Sequence, residues 1–440
     1  MAGGVFVSQN KIRPGAYINF KSVAKPLGLV GNRGIVTMPL KMGWGKNDGI
    51  IEVFSSDIAD GKCLDKIGYY GSEDEVQSIR EALKNSHSLL LFRLDSNGEK
   101  AIAEISPLTA IAKYEGVVGN RLSIAIKRVD SSKFKVITYY NGQEKDSQIV
   151  ANAEELKSND WVEFAGTGSL DENAGTSLFG GSNGTVGADA YGNYINIIKS
   201  KQWSTMCIAN DTVSINQTIV EFIREQREVK GKKVQAVLKN HNKADYEGVI
   251  SVSQGYKTID ETIGVDSFVA YVGGLTAGTD LNKSNTYRVI DGAVEIINPK
   301  GDEDIESGLL NGEFILSYRQ DESVIIESDI NTLYTFTPDK SRDFSKNRVI
   351  RAMDDVNNSI KHMFEKNYIG KVDNNADGWN IFKADIISYL NQLRKMNAIK
   401  DFKPEDIIVA AGNDINSVIV DLGITPVDSM EKLYMTVIMG

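Results

Sequence analysis

The stretch TVSINQTIVEFIREQREVKG, residues 212–231, decides the fold class. Its apolar residues recur at helical spacing and a glycine ends it, as expected of an amphipathic helix: Ile215, Ile219, Phe222, Ile223 and Gly231. The flanking segments QWSTMCIAN (202–210) and KKVQAVLKN (232–240) predict strands, and GVISVSQG (248–255) predicts another. Strand–helix–strand order predicts an α/β domain with parallel strands, which we place at residues 193–335.

The chain before this domain divides into regions of different pattern. Residues 23–95 mix short strands with one helix and predict a small N-terminal α/β domain, in which SLLLFRL (88–94) is a buried strand. Residues 96–164 predict an antiparallel β-sandwich-like domain, because Asn141-Gly142, a favoured hairpin turn, separates two strand-like runs. Residues 165–192 hold eight glycines and predict a flexible linker.

The chain after it predicts an α+β C-terminal domain at residues 340–428. A helical stripe of apolar residues follows steps of four and three: Val349, Met353, Val356, Ile360 and Met363. GWNIFKADIISYLNQLRKMNAI (378–399) predicts a second helix, and PEDIIVAAG (404–412) predicts a strand.

Both ends of the chain carry an isolated apolar strand pattern. Residues 1–22 read as an extended arm with a strand at Tyr17, Ile18, Asn19 and Phe20, and residues 429–440 read as a second arm. The strand predicted in the second arm comprises Leu433, Tyr434, Met435, Thr436, Val437 and Ile438. A lone apolar strand is an aggregation hazard, and chain ends are more often polar and frayed. An apolar strand pattern at each end is therefore unusual for a globular chain.

Composition excludes several classes of protein. The 440 residues are 41% hydrophobic and 25% charged, which is ordinary for a globular chain with room for several domains. A net charge of −10 argues against general nucleic-acid binding. No apolar run approaches the ~20 residues that span a bilayer, and the N-terminus does not resemble a signal peptide. Two cysteines, Cys63 and Cys207, are typical of synthesis in a reducing cytoplasm.

No catalytic, cofactor-binding or metal site is predicted. His87, His241 and His362 fall in three different regions, and the usual nucleophile, zinc and phosphate-loop motifs are missing from the sequence. The segment DNNADG (373–378) matches the start of a calcium-binding loop, but its twelfth position is Ala384 instead of a bidentate glutamate. The alternative is an Asx-rich turn at the start of the following helix.

Five motifs in order resemble the contractile tail sheath proteins of myophages and of phage-tail-like, R-type bacteriocins, especially those of Gram-positive hosts. They are RPGAYINF (13–20), GNRGIVTMPL (31–40) with Trp44-Gly45 after it, LFGGSNGT (178–185), YVGGLTAGTDLNKSNTYRVIDG (271–292) and NRVIRAMDDVNNSIKHMFEKNYIGKV (347–372). The resemblance implies that the central domain is subtilisin-like in fold but not catalytic, since fold does not carry function.

The resemblance also implies a function and a set of partners. Sheath subunits lend both arms to strands of a neighbour's C-terminal domain, assemble helically around an inner tube in a metastable extended state, and contract to drive the tube through the target cell envelope. The expected partners are identical subunits, the inner tail tube protein, and the baseplate and tail terminator proteins, without nucleic acid or membrane insertion. The expected location is a virion tail or phage-tail-like particle, with synthesis in the host cytoplasm.

A basic segment suggests where the tube would bind. Residues 340–371 hold eight Lys or Arg against four acids, a local excess in an acidic chain. Because the family's C-terminal domain lies against the tube, Lys346, Arg348 and Arg351 are the predicted tube-facing residues, with a solvated helix face as the simpler alternative. Two other functions stay open at this point: a hydrolase-like α/β enzyme with an accessory β domain, and the sheath of a cellular contractile injection system.

Overall fold

The computed structural model describes residues 34–439 and, before them, only the backbone of two short strands. These strands, β1 (Ala2–Gly4) and β2 (Gly15–Tyr17), pair in parallel. Most of the predicted N-terminal arm therefore lies outside the described residues, including Ile18, Asn19, Phe20 and the side chain of Tyr17.

Residues 34–94 do not form a domain of their own, which corrects the prediction for residues 23–95. Their strands form one edge of the main sheet, and three short helices connect the strands. The strand predicted at SLLLFRL is present as β5 (Ser88–Arg93) and is buried along its whole length. The elements are β3 (Ile35–Leu40), β4 (Ile50–Phe54), α1 (Ser55–Ala59), α2 (Cys63–Ile67), α3 (Gln77–Leu83) and β5 (Ser88–Arg93).

Residues 95–186 form the antiparallel β domain. Its main sheets have the orders β11-β10-β9-β13 and β12-β8-β7, and the pair β6-β14 closes its base. The predicted Asn141-Gly142 turn joins β10 to β11, with positive φ at both residues. The strands are β6 (Asp95–Ser96), β7 (Ile102–Ile105), β8 (Leu108–Ala112), β9 (Leu122–Arg128), β10 (Phe134–Tyr140), β11 (Gln143–Val150), β12 (Val162–Gly166), β13 (Asn173–Ser177) and β14 (Thr185–Val186).

The prediction of a flexible linker at residues 165–192 is wrong. Within it, β13 pairs with β9, and Phe179 makes a bridge with Ile102. Leu170 and Leu178 are buried in the core. Gly184 is required by close backbone packing, because a Cβ on it would lie 2.2 Å from the carbonyl oxygen of Ser96.

The main sheet has seven strands in the order β21-β17-β16-β15-β3-β5-β4, all parallel to their neighbours except β4. The predicted central helix is present as α5, and Gly231 follows it with a φ of +61°. The central elements are α4 (Ala190–Ile198), β15 (Thr205–Ile208), α5 (Val213–Arg224), β16 (Gln235–Lys239), β17 (Val249–Val252), β18 (Gly255–Lys257), β19 (Thr262–Ile263), α6 (Val265–Gly278), β20 (Glu295–Ile297), α7 (Asp302–Leu310), β21 (Glu313–Phe314), β22 (Leu316–Tyr318) and β23 (Val324–Ile326).

The glycines of the 271–292 motif allow α6 to pack closely on the N-terminal segment. A Cβ on Gly274 would lie 2.0 Å from the carbonyl oxygen of Ala82, and one on Gly278 would lie 1.7 Å from that of Asn85. Any larger residue would force these backbones apart. The motif therefore joins residues 34–94 to the central region.

The C-terminal region consists of two long helices and a hairpin: α8 (Asn347–Asn367), α9 (Ala376–Lys395), β24 (Ile407–Ala411) and β25 (Val418–Leu422). The predicted stripe lies on the inner side of α8, where Val349, Val356 and Met363 are buried. Residues 433–438, predicted as a strand, form no strand in the described structure.

Candidate functional site

The C-terminal arm carries a run of exposed apolar side chains. Leu433 is 84% exposed and Tyr434 is 88% exposed, and four further side chains beyond them are also in solvent: Met435, Val437, Ile438 and Met439. Contiguous exposed apolar residues of this kind mark interaction sites or aggregation hazards. Among the described residues, nothing covers these side chains.

The hairpin β24–β25 offers free strand edges. Within residues 34–439, each of its strands pairs only with the other, so the outer edge of each has unused backbone donors and acceptors. Ile408 and Ile419 expose apolar side chains on it. An edge of this kind can accept an added strand.

A buried carboxylate, Asp329, joins the central region to the start of α8. Its side chain accepts hydrogen bonds from Arg351 Nη2 at 2.9 Å, Asn347 Nδ2 at 3.0 Å and the backbone N–H of Asn285 at 3.0 Å. Asp329 and Arg351 are each about 1% exposed. Arg351 also donates to the carbonyl of Lys283, so the 271–292 motif holds α8 through this arginine. Sequence patterns gave no sign of Asp329, because its partners are distant in the chain.

Further polar contacts fix α8 along the central region. Arg227 makes a two-pronged pair with Asp354, at 2.6 and 2.9 Å. Neighbouring Asn358 exchanges two hydrogen bonds with the backbone of Lys233, at 2.9 and 2.8 Å. The C-terminal region is therefore attached firmly to the central sheet.

The three residues predicted to face the tube have other roles. Arg351 and Arg348 are buried, so neither is available at the surface of the subunit, and that part of the prediction is wrong. Arg351 lies on the side of α8 opposite the apolar stripe, towards the central region, where Asp329 compensates its charge. Lys346 is partly exposed and forms an ion pair with Glu431 at the base of the C-terminal arm.

The described chain brings no catalytic group together. His87 contacts Phe54, His241 follows β16, and His362 borders a cavity of about 340 Å³ between Trp203 and α8. Residues 34–439 contain no cluster of three or more potential metal-ligating side chains. Nor does any described helix combine the length and apolar character needed to cross a membrane.

The calcium-loop candidate at residues 373–378 caps a helix. The side chain of Asn375 accepts a hydrogen bond from the N–H of Gly378 at 2.9 Å at the start of α9. Asn374 donates to the carbonyls of Ile415 and Ser417 and accepts from Trp379. This is the Asx-turn alternative, with Asn375 as the capping residue and Asp377 in the first turn of α9.

Four family models together match almost the whole chain. They are described as the tail sheath protein Gp18 domain III N-terminal region (residues 33–94), the phage tail sheath protein β-sandwich domain (96–183), the phage tail sheath protein central domain (184–332) and the phage tail sheath C-terminal domain (339–440). Their boundaries follow the division seen in the structure, including a β domain that extends through residue 183.

Individual relatives agree. A sheath tail protein of Desulfitobacterium hafniense is 38% identical, with a TM-score of 0.83 over 96% of this chain and 99% of that one. The phage-like element PBSX protein XkdK of Bacillus subtilis is 31% identical over 99% of both chains. The contracted helical sheath of the anti-feeding prophage shares the fold alone, at 10% identity and a TM-score of 0.56 over 97% of this chain and 99% of that one. This chain therefore belongs to the phage tail sheath protein family, as a structural subunit of a contractile tail and not as an enzyme.

Proposed function

We propose that the subunit polymerises helically around an inner tube, in a metastable extended state, and contracts to drive the tube through a cell envelope. The observation that carries this proposal is the apolar arm at residues 432–439, which leaves a folded body without covering any of it. The energy for contraction is stored at assembly and released when the subunits rearrange, as in other one-way switches.

The arm adds to the hairpin β24–β25 of a neighbouring subunit. The free edges of that hairpin and the extended apolar arm are complementary, since backbone hydrogen bonds supply affinity and alternating side chains supply register. The N-terminal arm at residues 1–22 does the same with another neighbour. Each subunit in such an arrangement gives strands and receives them, so the assembly is a continuous helical mesh.

The proposed subunit has partners besides its own copies. They are the tube, the tail terminator and the baseplate, in a virion or an R-type bacteriocin-like particle made in the host cytoplasm. Similarity to a phage-like element of B. subtilis supports the particle form. The parallel main sheet with helices packed on it supports a subtilisin-like description of the central domain.

Replacing Tyr434 with proline tests the arm. Proline removes a backbone donor that a ladder strand requires, so the variant should remain a folded subunit that forms no sleeves in electron microscopy. Tyr434→Phe keeps the donor and is the matched control, which should assemble as the wild type does. Normal sleeves from the proline variant, at wild-type protein concentration, would reject strand exchange by this arm.

A further inference from the structure

The base of the C-terminal arm is held by a cluster of polar contacts around Glu431. One carboxylate oxygen pairs with Lys346 Nζ, and the other accepts from the hydroxyls of Thr286 at 2.9 Å and Ser429 at 3.2 Å. Lys346 opens α8, and Thr286 belongs to the central region. We call Glu431, Lys346 and Thr286 the arm clasp.

Burial separates Glu431 from the rest of its segment. Its side chain is 17% exposed although the residue as a whole is exposed, and the residues Met430 before it and Leu433 after it are almost fully exposed. A carboxylate gives up hydration only where other groups replace it; Lys346 supplies a cation here, and Thr286 and Ser429 each supply a hydroxyl. The contact is therefore a specific anchor in an otherwise free segment.

The clasp contacts the buried Asp329, which binds Arg351 and Asn347 at the start of α8. The hydroxyl of Thr286 accepts from the backbone N–H of Asp329 at 3.0 Å while it donates to Glu431. Burial lowers the pKa of Arg348, and the negative charges of Asp428 and Glu431 oppose that shift. Arg348 therefore lies close enough to the arm base to attract it.

We propose that the arm clasp is a positioning device, which fixes where the exchanged strand begins and the direction in which it leaves the subunit. This inference rests on the proposed strand exchange. Within the described residues, the last backbone hydrogen bond before the arm is made by Val427, whose N–H donates to the carbonyl of Ala398 at 3.0 Å. When the clasp is closed, only Lys432 separates the anchor at Glu431 from the strand that begins at Leu433. When the clasp is open, the last fixed point is Val427, and residues 428–432 separate it from the strand.

The length of this link sets the expected effect. At up to ~3.5 Å per residue, the start of the strand can wander roughly 7 Å from a closed clasp and about 20 Å from Val427. Effective concentration falls roughly as the −3/2 power of link length, so opening the clasp should lower it about five-fold. Sleeve formation should then need about five times more protein.

Spin labelling tests the clasp on the unassembled subunit. Both native cysteines are buried, so a nitroxide on Lys432→Cys reports on the arm base alone. The label should be restricted in the parent protein and mobile in Glu431→Gln and in Lys346→Met. The exchanged pair K346E/E431K should restore restriction. Lys257→Met, which breaks an exposed ion pair with Glu295 on the central region, is the matched control and should change nothing.

Assembly without the label then tests the positioning role. Glu431→Gln should raise the protein concentration needed for sleeves about five-fold, and the exchanged pair should lower it again. A label equally mobile in all variants would overturn the clasp, and mobility without any change in assembly would overturn its positioning role. Failure of strand exchange itself is detected separately, by normal sleeves from Tyr434→Pro.

Discussion

Asp329 shows how much one residue can contribute when its partners are buried with it. Removing one member of a buried ion pair leaves an uncompensated charge, which costs about 3–5 kcal/mol. We expect Asp329→Ala to lower the free energy of unfolding by about that amount in urea denaturation, because Arg351 and Asn347 each lose one buried acceptor. Asp321→Ala, which breaks an exposed pair with Arg319, is the control and should leave the midpoint unchanged. Equal midpoints for the two variants would contradict a stabilising role for the buried contacts of Asp329.

Lys232 gives a prediction with a defined pH window. Burial, assisted by the charge of Lys361, lowers the pKa of this lysine from its ordinary 10.5 to about 8. The folded state thus holds the charge unfavourably below pH 8, and between about 8 and 10.5 the unfolded state binds more protons, so stability rises with pH. Lys232→Met should therefore stabilise the protein at pH 7, and its advantage should shrink towards pH 10.5. An advantage independent of pH, in thermal melts, would refute this origin.

At the scale of elements, the sequence patterns predict the helices, strands and turns that depend on contacts between residues close in the chain. The helical stripe of α8, the central helix α5, the buried strand β5 and the Asn141-Gly142 turn all follow from spacing within a few residues. The division into domains did not, since β3 pairs with β15 across more than 160 residues. The sequence predicts an exposed Arg351 because its positive charge lies in a basic segment. It does not show that Asp329, 22 residues earlier in the chain, compensates this charge in the interior.

The glycine-rich segment is an element whose role can be measured. Leu178 is buried, and its backbone N–H donates to Leu122 at 2.9 Å, so the segment belongs to the β domain. Truncating a buried leucine costs about 2–5 kcal/mol. We expect Leu178→Ala to lower the free energy of unfolding by that amount, whereas Leu310→Ala, at an exposed position on α7, should not. A flexible linker would make the two variants alike.

At the scale of the whole molecule, Trp44 packs the main body against the β domain. It is fully buried, stacked on Trp161 at 5.6 Å between ring centroids and in edge contact with Tyr114 at 5.2 Å. Both partners belong to the β domain. We expect one calorimetric transition for the wild type and two for Trp44→Ala, with Trp379→Ala in α9 as a control that keeps one. Two transitions in the wild type would show that the regions are already independent.

The short pair β6–β14 has a consequence for how this family can vary. Because Asp95 and Val186 lie side by side, the chain departs from the main body and returns to it at a single point. Residues 96–185 are thus a single insertion in the chain of the main body, and a segment of another length in their place would leave the strand order of the sheet unchanged. The insertion shares the core of the body, because Trp44 stacks on Trp161 and the hydroxyl of Tyr140 donates to the carbonyl of Gly68 at 2.9 Å.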